Sequence, residues 1–459
     1  MQFTMKTAID TTLGVSSKVI TRDVCIIGGG AAGTYAAIRL RQMNKDVVVV
    51  EKEPCLGGHT MTYSDSEPGG KAVNYGVRYF QNLSTVRSFF AYFGIPLERL
   101  PFGNDREMFD FRAGKKISPV SQSDADAATG RYVAQLNRYP YLKGGFELPE
   151  PVPEDLLLPF GQFMAKHNLW ASIDELGAFI NPLGDDWPQL PTLYVMKYAN
   201  LTVLEGMRSG FVRSGDHNNS AIYSAAEREL GEDALLSSSV VAVDRDRNDG
   251  WSLVTVRKAE NGKPRLIRVR RIIVAIPPKL ENMRCFDLGS DECRLFGQFQ
   301  NTYLYTMVVG IKGLPVKDYA NRVADDPFKR PRLPGILFLA STDAPHLKTV
   351  QVGSTTSLSE EELKRVVFED ILRLRQCLGI NFSNPEFLAI ADHSPYQLTV
   401  SADAIKKGFY REINTLQGIR HTFYTGAAFE SHNTPQVWDF TEDLLQKFVL
   451  PSFEQTVLT

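Results

Sequence analysis

Hydrophobic positions near the start of the chain predict a strand, a helix and a second strand in close succession. The apolar run from Asp23 to Ile27 stops at three glycines, and helix-favouring residues follow from Ala31 to Met43. After Asp46 comes the strand-like run from Val47 to Val50. A strand, a helix and a strand in this order form a βαβ unit, which is typical of the opening of a parallel sheet.

Alternating positions in the middle of the chain predict a hairpin. The stretches Trp251 to Lys258 and Arg265 to Arg270 alternate between apolar and polar residues around a turn at Asn261-Gly262. The second stretch runs into a continuous apolar strand, Ile272 to Ile276. The charges in this region therefore indicate the solvent-facing side of a sheet.

Helical spacing marks three further segments. Apolar positions from Asp155 to His167 predict one helix. A capping box at Ser359 and Glu362 opens another helix, for which Gly379 is the expected end. The last helix is expected from about Pro435 to Phe448. We interpret the apolar stripes of these helices as core.

The composition excludes several classes of protein. Hydrophobic residues make up 43% and charged residues 23%, which indicates a globular chain. With 51 basic and 53 acidic residues the net charge is −2, which gives no electrostatic case for nucleic acid as a partner. The five cysteines form no CxxC pair, so we expect neither a disulfide scaffold nor a metal site.

Membrane and export signals are not expected either. No apolar run approaches the ~20 residues that span a bilayer. The N-terminal segment lacks the continuous apolar stretch of a signal peptide. We therefore expect a cytoplasmic protein with no transmembrane segment, and its oligomeric state stays open.

The glycines after the first strand carry the first chemical signal. In Gly28-x-Gly30-x-x-Gly33, the first glycine allows a tight turn, the second lets the backbone approach a pyrophosphate, and the third lets helix and strand pack closely. The pyrophosphate then lies on the helix N-terminus. Glu51 ends the next strand and is the expected carboxylate for a ribose hydroxyl. The pattern predicts dinucleotide binding.

A second glycine pair, Gly57-Gly58, follows Glu51 almost at once. In this arrangement the sequence resembles the flavin-containing amine oxidase superfamily, whose members carry a glycine pair followed by arginine at this distance. The resemblance implies FAD as the cofactor. His59 stands where those enzymes have arginine, and it can still hydrogen-bond a phosphate. We expect His59 to contact the flavin or its phosphate, with a covalent link as a further alternative.

The resemblance continues to the C-terminus and implies further cofactor contacts. The matching segments are a loop near the isoalloxazine with Asn74, Tyr75 and Gly76, two strands with Val240 and Gly426, and a helix with Val437 and Trp438. The predicted cofactor-binding set is completed by Gly28, Gly30, Ala32, Gly33, Glu51, Lys52, Gly57, Gly58 and His59.

We predict an α/β fold in two domains. The first is a Rossmann-type FAD-binding domain of the glutathione-reductase and amine-oxidase type, and the second is a mixed α+β substrate domain. The FAD-binding domain is discontinuous and comprises residues 18–100, 215–290 and 405–459. The substrate domain comprises residues 101–214 and 291–404.

The resemblance also implies residues beside the substrate. Phe409 and Tyr410 match the place where the family supplies an aromatic side chain next to the flavin. Many amine oxidases carry a lysine near flavin N5, but the corresponding stretch, 301–306, contains none. We therefore expect Tyr303 or Tyr305 to face the pocket and assign a catalytic role to these four aromatic residues.

Two of the seven histidines, His393 and His432, lie near the C-terminal flavin segments. His432 could lie over the cofactor, but a surface or structural role is the favoured interpretation.

Within the superfamily, the chain most closely resembles fungal alkaloid-forming FAD dehydrogenases. The segments that carry this likeness are Glu150 to Leu156, Pro191 to Met196, Pro277 to Asn282 and Lys407 to Arg411. The resemblance implies removal of a hydride from a carbon next to nitrogen, or an equivalent desaturation that can trigger cyclisation. The expected substrate is an apolar secondary metabolite.

Two alternatives stay open. A weaker likeness, in Leu157 to Phe160 and Ile180 to Pro182, is to FAD-dependent isomerases of polyunsaturated fatty acids. Such an isomerase would need a cation for the carboxylate, and Arg78, Arg208 and Arg213 are available. The other alternative is a flavin-binding protein without catalytic activity.

Overall fold

Two large sheets and two short ribbons contain the strands of the described residues. The computed structural model describes residues 19–454, except 66–69, 104–105, 185, 246, 248 and 260–261. In chain order the strands are β1 (Ile20–Ile27), β2 (Val47–Val50), β3 (Thr62–Ser64), β4 (Ala72–Asn74), β5 (Leu97–Leu100), β6 (Arg106–Asp110), β7 (Lys115–Ile117), β8 (Phe211–Ser214), β9 (Ala234–Leu235), β10 (Ser238–Asp244), β11 (Ser252–Lys258), β12 (Pro264–Val274), β13 (Gln300–Gly310), β14 (Asp318–Asn321), β15 (Gly335–Ser341), β16 (Leu347–Ser354), β17 (Glu386–Asp392), β18 (Tyr396–Thr399) and β19 (Thr422–Tyr424).

The α-helices cover the faces of these sheets and connect them. In chain order they are α1 (Ala31–Gln42), α2 (Ser84–Tyr92), α3 (Gln122–Leu136), α4 (Glu154–Leu157), α5 (Phe160–His167), α6 (Ile173–Ile180), α7 (Thr192–Tyr198), α8 (Leu201–Ser209), α9 (Ala221–Leu230), α10 (Ser290–Phe296), α11 (Glu360–Leu378), α12 (Ala402–Lys406), α13 (Phe409–Asn414), α14 (Thr434–Leu444) and α15 (Leu450–Glu454).

The first sheet has the strand order β10-β11-β12-β1-β2-β9, with β19 beside the end of β12. Strand β1 is parallel to both β12 and β2, and its last residue, Ile27, pairs with Val274 and Val50. The carboxyl ends of the parallel strands therefore meet at one edge. In open α/β sheets this edge is where ligands bind.

The second sheet has the order β17-β13-β16-β15-β14-β6-β7, with β18 beside β13. Its neighbouring strands are antiparallel except for β14 and β6, which are parallel. Helix α11 packs its buried Val367, Ile371 and Leu374 against this sheet. The Rossmann-type α/β architecture with a second mixed α+β unit is confirmed.

The strands can be compared with the predicted domain ranges. All strands of the first sheet lie within 18–100, 215–290 and 405–459, and all strands of the second lie within 101–214 and 291–404. The ribbon of β5 and β8 pairs a strand from each set. The exact domain boundary stays a prediction.

Local sequence signals predict several elements correctly. The βαβ unit is confirmed as β1, α1 and β2. The capping box is confirmed as well, because the Ser359 side chain accepts a hydrogen bond from the Glu362 backbone N–H and α11 ends at Gly379 in the left-handed conformation. These elements depend on residues close in sequence, which explains why the sequence predicts them well.

Three elements differ from the prediction. The helix expected from 155 to 167 is two helices, because Pro159 holds Leu158 in an extended conformation between α4 and α5. The strands expected at 265–270 and 272–276 are the single strand β12, and Asn261 of the expected turn lies outside the described residues. Helix α14 ends at Leu444 and continues as a π-helical turn.

Candidate active site

A cavity of about 1090 Å³ lies between the carboxyl edge of the first sheet and the second sheet. Its wall is built from the turns after β1 and β2, the loop after β4, the link between β17 and β18, and the loop between β19 and α14. Ligand pockets commonly occupy ~300–1,000 Å³. At the upper end of this range, the cavity has room for a large ligand.

The turn after β1 has the geometry that its glycines predict. A Cβ atom on Gly33 would lie 1.8 Å from the carbonyl oxygen of Gly28, so only glycine lets α1 pack this closely. Gly28 has a φ of +103°. Gly30 precedes α1 without a side-chain cap, and Gly30, Ala31 and Ala32 line the cavity. The free N–H groups of this helix terminus suit a pyrophosphate.

The second glycine pair lies directly opposite the first turn. Gly58 has a φ of +55°, and a Cβ atom on it would lie 2.9 Å from the Cα atom of Gly30. The backbone N–H of Gly57 donates to the carbonyl of Gly29 at 2.9 Å. Gly76, in the next wall segment, could not carry a Cβ without meeting the carbonyl oxygen of His59 at 1.9 Å. Three glycine-dependent turns thus form one cradle.

Glu51 is held rigidly at the end of β2. Its Oε2 accepts a hydrogen bond from the Gly29 backbone N–H at 2.6 Å, and its Oε1 accepts one from the Glu53 N–H at 2.9 Å. Lys52 extends from the cavity rim and forms an exposed ion pair with Glu53 at 3.6 Å. Val240 of β10 completes this end of the wall. The arrangement suits an adenosine whose ribose lies beside Glu51.

A second helix N-terminus reaches the cavity at α14. Val437 and Gly426 line the wall there, and Gly426 has a φ of +104°. Trp438 does not line the cavity. Its buried indole donates from Nε1 to the carbonyl of Ala31 at 3.0 Å and stacks on Tyr35. Trp438 therefore holds the N-terminal part of α14 against the start of α1 and supports the cavity wall indirectly.

Two further residues predicted to bind the cofactor have supporting positions. Asn74 accepts hydrogen bonds from the Thr62 hydroxyl at 2.7 Å and the Asn219 backbone N–H at 2.9 Å, and its amide donates to the carbonyl of His217. Tyr75 is buried in a small apolar cluster. Neither lines the cavity, but both hold the loop whose next residues form its wall.

We call the region around the three glycine turns, Glu51 and the start of α14 the cofactor half of the cavity. Two helix N-termini, glycine turns that leave no room for a Cβ atom and a buried carboxylate together fit an extended dinucleotide such as FAD.

The expected positions of Tyr303 and Tyr305 are corrected by the register of β13. Alternate side chains of a strand point to opposite faces. Leu304 and Thr306 line the cavity, whereas Tyr305 is buried on the other face, where its hydroxyl accepts the Leu358 backbone N–H at 2.8 Å. Tyr303 packs against the same apolar cluster.

Phe409 and Tyr410 also lie away from the cavity wall. Both begin the short helix α13, and both are buried. Phe409 packs edge-on against Phe299. Tyr410 stacks on Phe146 with ring centroids 3.9 Å apart and donates its hydroxyl hydrogen to Tyr194 at 2.8 Å. These contacts place both residues in the core, which corrects the assignment made from the family resemblance.

Different aromatic residues form a wall of the cavity. Phe211 contacts Tyr79 with a centroid distance of 4.3 Å, and Phe102 contacts Phe179 at 5.6 Å and Phe211 at 5.7 Å. All four residues line the cavity, together with Phe338. We call this region, with Arg78 and Arg106, the substrate half.

Three histidine rings meet between the two halves. The ring centroid of His59 lies 4.5 Å from that of His393 and 5.7 Å from that of His432. His393 is buried at the end of β17, and its Nε2 hydrogen-bonds to the Thr306 hydroxyl at 2.8 Å. The Nε2 atom of His432 accepts the backbone N–H of Gln397 at 2.9 Å. We call His59, His393 and His432 the histidine cluster.

The histidine cluster is held in the neutral state. Burial lowers the pKa of His59 to about 4, although Asp392 opposes this shift. Burial and the neighbouring imidazoles also lower the pKa values of His393 and His432 well below the ordinary range. Because the three rings are neutral, they place no positive charge beside the predicted flavin position.

The arginines considered for a substrate carboxylate have different positions. Arg78 lines the cavity. Arg208 is exposed and pairs with Glu205. Arg213 forms ion pairs with Glu98 at 2.6 Å and with Asp343 at 2.7 Å. Of these three arginines, only Arg78 reaches the site.

Sequence reasoning missed Arg106, the aromatic wall and the role of His393. Arg106 opens a strand whose next residues include Met108 and Phe109, but a charged residue at a strand end is ordinarily solvent-exposed. The wall residues come from separate segments, and no spacing in the sequence connects them. His393 follows an alternating strand near two other predicted flavin segments, which was a weak signal.

The described residues contain neither a metal-binding cluster nor a membrane-spanning helix. They contain no group of three or more His, Cys, Asp or Glu side chains arranged to hold a metal ion. None of the helices in the described ranges is both long enough and apolar enough to cross a membrane.

Known proteins are similar to this chain in sequence and in fold. Residues 26–93 match the family model described as an NAD(P)-binding Rossmann-like domain. The FAD-dependent oxidoreductase pigF of Monascus ruber is 38% identical over 430 residues, which cover 92% of this chain and 90% of that protein. The beta-cyclopiazonate dehydrogenase of Aspergillus flavus is 33% identical over 436 residues, which cover 93% of each chain.

Solved structures agree on the fold. A CLA-producing fatty acid isomerase from P. acnes superposes with a TM-score of 0.76 at 20% identity, covering 93% of this chain and 98% of that one. Cyclohexylamine oxidase from Brevibacterium oxydans superposes with a TM-score of 0.65 at 15% identity, covering 93% and 99%.

The sequence similarity extends over nearly the whole length of both relatives. The chain belongs to this family of FAD-dependent oxidoreductases, and it is an enzyme whose cofactor is FAD. The predicted resemblance to FAD-dependent oxidoreductases is confirmed, and the fold is one that an amine oxidase also has.

Proposed function

We propose that this oxidoreductase removes a hydride from a carbon next to nitrogen, or carries out an equivalent desaturation, on an apolar secondary metabolite. The observation that carries the proposal is the aromatic wall, which continues the same cavity that holds the cofactor cradle. Aromatic walls bind large apolar molecules and exclude water. The similarity to a beta-cyclopiazonate dehydrogenase over 93% of the chain supports this substrate class.

The protein has two tasks in such a reaction. Bound FAD supplies the hydride acceptor. The aromatic wall positions the substrate carbon, and the cavity shields it from water. Oxidation of an amine to an imine removes a hydride from carbon, which FAD would accept when bound, and a proton from nitrogen. A protein base close to the nitrogen would accept that proton inside a cavity shielded from water.

We assign the proton acceptor to His393. His393 lines the cavity directly after β17 of the second sheet, whereas His59 and His432 lie in loops that follow strands of the first sheet. Its hydrogen bond to Thr306 fixes the ring, and its low pKa keeps it neutral at physiological pH. Thr306 ends the stretch where amine oxidases carry their lysine. This chain therefore has a hydrogen-bonded Thr306–His393 pair in the region where amine oxidases have a lysine.

A redox-neutral isomerase of a polyunsaturated acid is the second candidate. The observation that favours it is Arg78, a cation on the wall of the cavity where a carboxylate would be bound. The two reactions differ in the fate of the electrons, because an isomerisation leaves the flavin oxidised after each turnover.

Anaerobic spectroscopy separates the candidates. We expect the yellow holoenzyme to bleach without oxygen when mixed with the correct member of a panel of prenylated indole alkaloids, simple amines and polyunsaturated acids. Bleaching by an alkaloid or another bulky amine supports the proposal. Conversion of a polyunsaturated acid without net bleaching would replace it with the isomerase.

A further inference from the structure

Two arginines of the substrate half have neither a side-chain hydrogen bond nor an ion pair within the described residues. Arg78 lies in the loop after β4 and Arg106 begins β6, and both line the cavity. Neither forms a hydrogen bond through its side chain, or an ion pair, with any residue of the described chain, and the Nε atom of Arg106 is buried without a partner. Arg213, by contrast, forms ion pairs with both Glu98 and Asp343.

Aromatic rings surround the Arg106 guanidinium. Its central carbon lies 4.9 Å from the ring centroid of Phe338 and 5.7 Å from that of Phe102. Such contacts hold a guanidinium in place by its face and leave its N–H edge available. The N–H groups of Arg106 that have no partner within the described residues can therefore donate hydrogen bonds to a ligand.

The charges around this pair leave it net positive. Burial lowers the pKa of Arg106, and the nearby Arg78 lowers it further, while Asp318, Tyr79 and the more distant Asp174 raise it. Asp318 lines the cavity but forms an ion pair with neither arginine, and its carboxylate accepts the Ser341 backbone N–H at 2.8 Å. Asp174 forms an ion pair with Lys329, which leaves Asp318 as the carboxylate opposite the two guanidinium groups.

An unpaired, partly buried charge costs free energy, which a counter-ion offsets. The cofactor pyrophosphate is expected at the glycine turns of the first sheet, whereas Arg106 belongs to the second sheet and lies among the aromatic wall residues. We propose that Arg78 and Arg106 together bind a carboxylate or similar oxyanion on an otherwise apolar substrate, whose body lies against the aromatic wall. This inference rests on the proposed function and narrows its substrate class.

The test uses the FAD-loaded enzyme and a matched pair of probes, indole-3-butyrate and its uncharged amide. Binding is followed by the change in the absorbance spectrum of the bound flavin. We expect the anion to bind the wild type at least about tenfold more tightly than the amide. Arg78→Gln and Arg106→Gln should each remove most of this preference and leave amide affinity and FAD content unchanged.

Two control variants sharpen the result. Arg208→Gln changes an exposed arginine outside the cavity and should bind the anion like the wild type. Asp318→Asn removes the opposing charge and should strengthen anion binding. If Arg106→Gln fails to fold, Arg78→Gln alone decides the question.

Equal affinities of the wild type for anion and amide would overturn the proposal, and so would a preference that survives both arginine substitutions. Reduced FAD content in both soluble variants would assign the arginines to the cofactor instead. An anion preference without flavin bleaching by any amine would retain the site and reject the proposed oxidation.

Discussion

The cofactor half and the substrate half of the cavity are built in different ways. Much of the cofactor half comes from short segments, such as the 24 residues from Gly28 to Glu51, whose backbone turns require glycine. The substrate half takes its residues from positions 78–79, 102, 106, 179, 211 and 338, which are brought together by the packing of two sheets. Backbone geometry defines the first half, and side-chain packing defines the second.

This difference separates two kinds of functional residue. In the cofactor half, a residue type at a given spacing has one geometric purpose, as Gly33 shows by its 1.8 Å approach to Gly28. In the substrate half, the same residue type serves as core or as site according to the face it occupies. Tyr305 and Thr306 are neighbours in sequence, yet only Thr306 reaches the cavity.

The largest effect is expected from Gly33→Ala, because no small movement removes a 1.8 Å contact with a backbone oxygen. The purified protein should lose its stoichiometric FAD, measured by absorbance of the released cofactor. Gly130→Ala in α3 is the matched control, since nothing lies within 4 Å of the added Cβ. A Gly33→Ala protein with full FAD content would show that the turn does not depend on glycine.

The next largest effect is expected from Lys197→Met, which breaks a buried ion pair between α7 and the loop that joins β19 to α14. Lys197 Nζ lies 2.5 Å from Glu430 Oε1 and also donates to two backbone carbonyls. Leaving Glu430 buried and unpaired should lower the free energy of unfolding by about 3–5 kcal/mol.

Chemical denaturation measures this change. The double variant Lys197→Met/Glu430→Gln should recover part of it, because no buried charge is then left alone. Lys166→Met removes an ion pair of an exposed lysine, and its effect should stay below about 1 kcal/mol. Equal effects of the two lysine variants would contradict the buried-pair account.

The histidine cluster predicts a smaller, pH-dependent effect. The unfolded chain protonates its histidines below pH ~6.5, whereas folded His59 resists protonation until about pH 4. Unfolding therefore takes up protons, and stability falls as the pH falls through this window. Each such histidine contributes up to about 1.4 kcal/mol per pH unit.

Thermal unfolding between pH 7 and 5 tests whether stability falls as the pH falls. The wild type should lose stability on acidification, and His59→Asn should lose less. Asp392 faces His59 and opposes its low pKa, so Asp392→Asn should steepen the loss. A wild-type stability that rises on acidification would show that the cluster is charged in the folded state.

The smallest catalytic effect is expected from Tyr410→Phe and Phe409→Leu. Both side chains belong to the core, so flavin reduction should stay within about threefold of the wild type. Tyr410→Phe should lower stability by about 1 kcal/mol through the lost hydrogen bond to Tyr194. A hundredfold loss of turnover in a stable Tyr410→Phe protein would restore its predicted place beside the substrate.

The sequence alone predicts the βαβ unit, the glycine turns and Glu51, because each depends on residues near one another in the chain. It does not predict which face of β13 meets the cavity, since that depends on how the second sheet packs. The same reason explains the misplacement of Phe409, whose helix packs against Phe299 more than a hundred residues away. The supporting roles of Asn74 and Trp438 also depend on distant partners.

We propose that His393 and the substrate half, rather than the aromatic pair at 409–410, act on the substrate beside the flavin. The most direct test is the rate constant of anaerobic flavin reduction, measured by stopped-flow absorbance with the substrate that bleaches the holoenzyme fastest. The account predicts that His393→Asn, at unchanged FAD content, slows reduction by about 10²–10⁴-fold while Tyr410→Phe stays within about threefold. A wild-type rate in His393→Asn together with slow reduction in Tyr410→Phe would contradict it.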